Sequence, residues 1–167
     1  YLKANQEEGP MKIRDVMTTS PKYCLPSDSA SKAARIMRDM DTGIVPIVEN
    51  EQDRKLIGVV TDRDLCLAVI AEARDPQTVQ VGDCMTSALV CCTPDDDVQK
   101  AIDFMRENQV RRIPIVDRHG TLQGIVSMAD IVERSDISSG RIHETLKKIC
   151  EPTQDASKPR AQMRKSA

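Results

Sequence analysis

Gly58-Val59-Val60-Thr61-Asp62-Arg63-Asp64 is answered later in the chain by Gly124-Ile125-Val126-Ser127-Met128-Ala129-Asp130. Both stretches read as a glycine, two β-branched residues, a hydroxyl, two variable positions and an aspartate. Upstream the echo continues. Ile44-Val45-Pro46-Ile47-Val48 returns as Arg112-Ile113-Pro114-Ile115-Val116, and Asp15-Val16-Met17-Thr18 returns as Asp83-Cys84-Met85-Thr86. Pro46 and Pro114 are offset by 68 positions, whereas Gly58 and Gly124 are offset by 66, so the second copy lacks two residues between its proline and its glycine. A unit this short cannot bury its apolar face alone, so the two copies must pack together and share a cleft built from equivalent residues.

Each copy carries the same order of elements. In the first, Lys22 to Leu25 predicts a short strand and Pro26-Ser27-Asp28-Ser29 supplies turn and cap chemistry. Ala33, Ile36, Met37 and Met40 then recur at helical spacing, which predicts a helix from Ser29 to Met40. Ile44 to Glu49 and Leu56 to Thr61 predict a hairpin, and a second helix runs from Thr61 to about Glu72. Asp75-Pro76-Gln77 separates the copies. The second repeats the pattern: strand Leu89 to Cys92, a helix carrying Val98, Ala101, Ile102 and Met105, strand Ile113 to Asp117, a turn at His119-Gly120, strand Leu122 to Ser127 and a helix over 128–134. The expected organisation is a leader over 1–10, disordered or added for expression, a first repeat over 11–75, a second over 76–135, an amphipathic helix over 136–150 and a disordered tail over 151–167.

Composition narrows the function classes. Of 167 residues 40% are hydrophobic but only 2% aromatic, so the core is aliphatic and base stacking has almost nothing to work with. Basic and acidic residues number 24 and 26, net charge −2, which offers no broad phosphate-attracting face for nucleic acid. The longest apolar run, Leu65 to Ala71, is far short of the ~20 residues a bilayer requires. No membrane partner is expected, and a cytoplasmic location is. Six cysteines show no metal-ligand spacing and read as reduced, buried small hydrophobes, with Cys91-Cys92 the place to look for a redox role. His119 and His143 have no catalytic partner in the sequence, so no enzyme and no metal site are expected.

In the duplicated motif each hydroxyl stands where a strand hands over to a helix, so it shares its position with unpaired backbone N–H groups, a setting for phosphate. The carboxylate three residues on is an acceptor-only group, complementary to a ribose diol. The same [Ser/Thr]-x-x-Asp spacing is also a capping box, in which the two side chains satisfy each other's backbone N–H. Both readings stand on these residues alone. The order of elements, the Asp-Val-Met-Thr opening, the hydrophobic-Pro strand and the Gly-x-x-[Thr/Ser]-x-x-Asp close together resemble a tandem pair of cystathionine β-synthase (CBS) domains, the Bateman module, over about 11–134.

The resemblance implies an α+β fold with α/β-type packing, made of two β-α-β-β-α repeats related by a pseudo-twofold axis. It also implies a non-catalytic regulatory module of the stand-alone prokaryotic type, with adenosine-containing ligands in the inter-repeat clefts. Carried over, the hydroxyls Thr61 and Ser127 meet phosphate, Asp64 and Asp130 meet ribose, and Val45 and Ile113 lie against adenine. The copies differ where phosphate matters. Arg63 stands where the second repeat has Ala129, and Arg111-Arg112 stand where the first has Gly43-Ile44. Arg63 and Arg112 are the candidate anion ligands, and Arg111 reads as a solvated charge. AMP, ADP, ATP, NAD and S-adenosylmethionine all offer the same adenosyl handle, and no cofactor is required. Apolar helix faces at Leu65, Val69 and Ile131 predict a homodimer that signals to an effector protein. The alternatives are a dimerising scaffold with empty clefts and a regulatory fragment of a larger enzyme or transporter; the Met11 start and polar tail favour a separate protein.

Overall fold

The computed structural model describes residues 10–135 and 137–151. The expected leader, up to residue 9, and the expected tail beyond Glu151 lie outside the described residues. A 3₁₀ turn Ile13–Asp15 and strand β1 (Thr18–Thr19) open the fold. Helix α1 (Ala30–Asp39) follows, capped by Ser29, whose hydroxyl accepts the Lys32 N–H at 3.2 Å. Strands β2 (Ile44–Val48) and β3 (Leu56–Thr61) form the first hairpin, and α2 (Asp62–Leu65) runs on as a π-helical stretch, Cys66–Ile70. The second repeat supplies α3 (Val81–Cys84), α4 (Val98–Asn108), β4 (Arg112–Val116), β5 (Leu122–Ser127) and α5 (Met128–Arg134), and α6 (Ser139–Cys150) follows.

Both hairpins are antiparallel with matching register: Pro46 faces Val59 as Pro114 faces Ile125, and each pair of strands has an irregularity at the same place, Ile47/Val48 and Ile115/Val116. The expected first strand of each repeat shrinks to one parallel bridge, Cys24 with Ile47 and Cys92 with Ile115. Pro26 and Pro94 follow two residues later and cannot donate to a ladder, which explains the stop. The two-residue difference between the copies falls in the hairpin turns. Glu49 N–H donates to Lys55 O at 2.8 Å, and Asp117 N–H donates to Thr121 O at 3.0 Å across a shorter loop.

A pseudo-twofold axis passes between those turns. Leu56 N–H donates to Gly120 O and Leu122 N–H donates to Arg54 O, both at 3.0 Å, and Lys55 bridges Thr121. Arg54 and Gly120, equivalent at an offset of 66, both have positive φ, 49° and 82°, which turns their carbonyls toward the opposite repeat. Glycine adopts this conformation without strain, whereas an arginine there is held by the contact it makes.

The repeats also exchange their opening segments. Ile13 and Arg14 N–H donate to Asp96 and Pro94 O, while Val81 and Gly82 N–H donate to Asp28 and Pro26 O, the same pair of bonds at an offset of 68. Ile13 and Val16 are fully buried in the core of the second repeat with Ile102, Met105 and Ile115. Val79 and Val81 are buried in the core of the first with Ala33, Ile47 and Val60. Strand β1 pairs with β5, Thr18 opposite Ile125, and Thr86 makes the equivalent bridge to Val59.

The repeated glycine follows from this exchange. A methyl group on Gly124 would lie 2.8 Å from Thr18 O and 2.9 Å from Met17 Sδ; on Gly58 it would lie 2.6 Å from Met85 Sδ and 3.1 Å from Thr86 O. Met85 can swing aside, whereas the backbone of β1 cannot. Gly124→Ala is therefore expected to lower stability by ~1–3 kcal/mol in urea unfolding, with Gly58→Ala costing less.

Candidate functional site

Thr61 and Ser127 each end a strand and cap the next helix, so their side chains lie at equivalent strand-to-helix junctions. Both junctions form complete capping boxes. Thr61 N–H and Oγ1 donate to Asp64 Oδ2 at 2.9 and 2.8 Å, and Asp64 N–H donates back to Thr61 Oγ1 at 3.2 Å. Ser127 and Asp130 repeat this at 2.8, 2.5 and 3.1 Å. In each box one carboxylate oxygen takes both bonds. Asp130 Oδ1 lies 3.8 Å from Arg134 Nη2, while Arg134 Nη1 donates to Val16 O at 3.0 Å. The opposite junction mirrors this. Burial, then the Asp64 and Asp83 carboxylates, push up the thiol of Cys84, which stands where the first repeat has Val16. Each hydroxyl–Asp pair therefore lies beside the opening segment of the other repeat.

A polar cavity of about 450 Å³ lies between the repeats. Its lining includes both members of two equivalent pairs, Gly43 with Arg111 and Asp62 with Met128, so it straddles the pseudo-twofold axis. Ser127, Arg112 and Ala129 also line it, so the structure brings Ser127 and Arg112 together. Equivalent backbone bonds join these lining residues: Asp62 N–H donates to Gly43 O at 3.2 Å, and Met128 N–H donates to Arg111 O at 2.9 Å. Asp41 completes the charged lining.

Not every residue singled out in the sequence reaches this cavity. Val45 and Ile113 are fully buried within the two cores, facing Val60 and Val126 across their hairpins. Neighbouring strand residues point to opposite faces; Arg112, one position before Ile113, lines the cavity, and Ile44, one before Val45, is buried outside the core cluster. Arg63 is exposed outside the cavity lining, and Thr61, Asp64 and Asp130 stand at the junctions beside it. Arg111, which reads as a solvated charge, is exposed yet lines the cavity, and Asp62, to which no role is assigned from the sequence, lines it as well. The signal for Asp62 was its place directly after the capping hydroxyl, where an acid takes a helix-start N–H. Its Oδ1 accepts Arg63 N–H at 2.8 Å.

The cysteines divide. Burial pushes the Cys24 and Cys92 thiols up to about 11, so neither is a thiolate at neutral pH. Against the expectation of buried thiols, Cys66 and Cys150 are exposed and Cys84 and Cys91 half-buried; all six are free. Among the described residues no group of three or more His, Cys, Asp or Glu could hold a metal, and no helix is long and apolar enough to cross a membrane.

The family model for the CBS domain matches twice, over residues 13–71 and 81–136. The chain belongs to the CBS domain family. An uncharacterised protein of Methanopyrus kandleri is 36% identical over 143 residues, which cover 86% of this chain and 69% of that one. Hypoxic response protein 1 of Mycobacterium tuberculosis is 32% identical over 86% of this chain and 97% of its own. Its crystal structure with two coordinated zinc ions superposes with a TM-score of 0.65, covering 74% of this chain and 98% of that one. The structure of CBSX2 in complex with AMP is 25% identical, with a TM-score of 0.61 over 73% of this chain and 93% of that one. This CBS pair thus has the expected fold of two β-α-β-β-α repeats about a pseudo-twofold axis.

Each box satisfies backbone N–H groups within its own repeat and so contributes to the stability of the CBS pair itself. Ser127→Ala is expected to cost ~0.5–2 kcal/mol in urea unfolding. Asp130→Asn should cost less, since the amide oxygen still accepts Ser127 N–H.

Proposed function

We propose that this CBS pair is a non-catalytic sensor of adenosine-containing ligands. The ligands occupy the junctions where Thr61 with Asp64, and Ser127 with Asp130, lie beside the opening segment of the other repeat. The observation that carries this reading is the cavity between the repeats, where Ser127 and Arg112 converge on one space. Among the described residues Arg112 forms no ion pair there, and a guanidinium held without a partner beside a hydroxyl and a helix start suits an anionic group. The AMP complex of CBSX2 supports the adenosyl class. The capping bonds do not compete with this role. Asp64 and Asp130 each use Oδ2 for the box, and Oδ1, which in Asp130 also lies 3.8 Å from Arg134 Nη2, has lone pairs to accept from ribose hydroxyls. AMP, ADP, ATP, NAD and S-adenosylmethionine are the candidate ligands, and six free thiols fit a reducing cytoplasm.

Thermal shift with these ligands, against guanosine and cytidine phosphates, tests the reading. Ligand at 100 times its Kd stabilises by ~2.7 kcal/mol, which raises Tm by several degrees at roughly 2–4 °C per kcal/mol. Asp64→Asn and Asp130→Asn are expected to weaken binding roughly 10-fold or more, by loss of a charged acceptor. No shift with any adenosine ligand would leave the scaffold as the better account.

We further propose that the protein is a homodimer whose state an effector protein reads. Leu65, Val69 and Ile131, from which the sequence predicts the contact, are buried inside their own repeats. The exposed apolar residues include Met40, Leu67, Val132 and Ile70, the last 75% exposed and lining an apolar groove of about 410 Å³ between α1 and α2. Helix α6 packs along α4, burying Thr145 and Ile149 and leaving Leu146 exposed, while α1, the equivalent of α4, carries no such cover among the described residues. Light scattering at micromolar concentration is expected to give a dimer mass, and Leu67→Asp with Ile70→Asp a monomer.

A further inference from the structure

The cavity between the repeats is divided by charge. Asp41 and Asp62 come from the first repeat, and Arg111 and Arg112 from the second. The division is written into the duplication: where one copy has Gly43 the other has Arg111, and where one has Asp62 the other has Met128. The four groups are not spent on each other, since none of them forms an ion pair among the described residues. They are nevertheless close. The position of a Cβ on Gly43 would lie 2.9 Å from Asp62 Oδ2 and 3.7 Å from Arg112 Nη1, so the absent side chain leaves open the space between the carboxylate and the guanidinium.

We infer that this cavity selects adenosyl ligands whose 5′ substituent carries a cationic amino-acid tail over those that carry a polyphosphate, and that Asp62 decides the choice. The inference rests on the adenosyl reading above and narrows it. A di- or triphosphate brings two to four negative charges into a lining whose formal charge is zero, and would set at least one of them beside Asp62. Asp62 is exposed, so solvent screens part of the field, but like charges at such distances still repel and offset the gain at the arginines. An amino-acid tail avoids this. Its carboxylate reaches the forked donors of Arg111 and Arg112, and its cationic centre lies toward Asp41 and Asp62, so each group of the lining gains a partner. Asp62 also holds the Arg63 N–H at the start of α2, which puts the protein's own anion where a phosphate would otherwise bind. Among the adenosyl candidates, S-adenosylmethionine has this chemistry.

Calorimetric titration of the purified protein with S-adenosylmethionine, ATP and AMP tests it, alongside Asp62→Asn, which keeps the side-chain shape and the oxygen that accepts Arg63 N–H. The unsubstituted protein is expected to bind S-adenosylmethionine at least about ten-fold more tightly than ATP. In Asp62→Asn the first affinity should fall and the second rise, each by about ten-fold, with AMP moving by less than either. Tighter binding of ATP than of S-adenosylmethionine, or an Asp62→Asn variant that moves neither, overturns the charge selection while AMP binding leaves the adenosyl reading intact. Absence of binding by all three overturns both.

Discussion

The exchange of opening segments is the constraint on which the rest of this fold depends. Residues 13–17 complete the core of the second repeat, and residues 79–85 complete the core of the first. Neither half has a closed core without a strand of chain that belongs, by sequence, to the other. Burying a valine or isoleucine contributes about 1.5–3 kcal/mol, so the four exchanged residues Ile13, Val16, Val79 and Val81 couple the halves through their cores as well as through the backbone bonds at the axis. The repeats are consequently held as one body, and a ligand bound between them is bound to both.

That coupling explains features that a single repeat would not need. Gly58 and Gly124 are glycines because the methionine and threonine of the opposite opening lie across them. Arg54 accepts a left-handed conformation because its carbonyl is one of the two that close the axis. The hydroxyl–Asp pairs sit where a strand of one repeat, a helix start and the opening of the other repeat meet. They serve the fold as capping boxes, in which Oδ2 of each carboxylate takes both bonds. A capping role and a ligand role draw on different lone pairs of the same carboxylate, so one does not argue against the other.

Duplication gives two equivalent frames, and divergence has made them chemically unlike. The substitution of Gly43 by Arg111, and of Asp62 by Met128, between equivalent positions leaves acids on one side of the axis and bases on the other. The external faces have diverged as well. The second repeat is lined by α6 along α4, whereas the first presents an apolar groove. The symmetry of the backbone is therefore a poor guide to the chemistry of either site.

Much was legible in the sequence by itself. The 68-residue and 66-residue offsets, the helical spacing of Ala33, Ile36 and Met37, the β-branched hairpins and the Ser29 cap depend on contacts local in the chain, and local periodicity records them. The hydroxyl–Asp pairs were legible for the same reason, since three residues separate the partners. What tertiary structure decided was everything that joins distant parts of the chain. The docking of Ile13 against Asp96, the side of the hairpin on which Val45 and Ile113 lie, the burial of Leu65 in place of Leu67, and the meeting of Asp62 with Arg111 and Arg112 across the axis leave no periodic trace. A strand residue one position along faces the opposite side, and a pair of charges separated by some fifty residues becomes a site only when the fold brings them together.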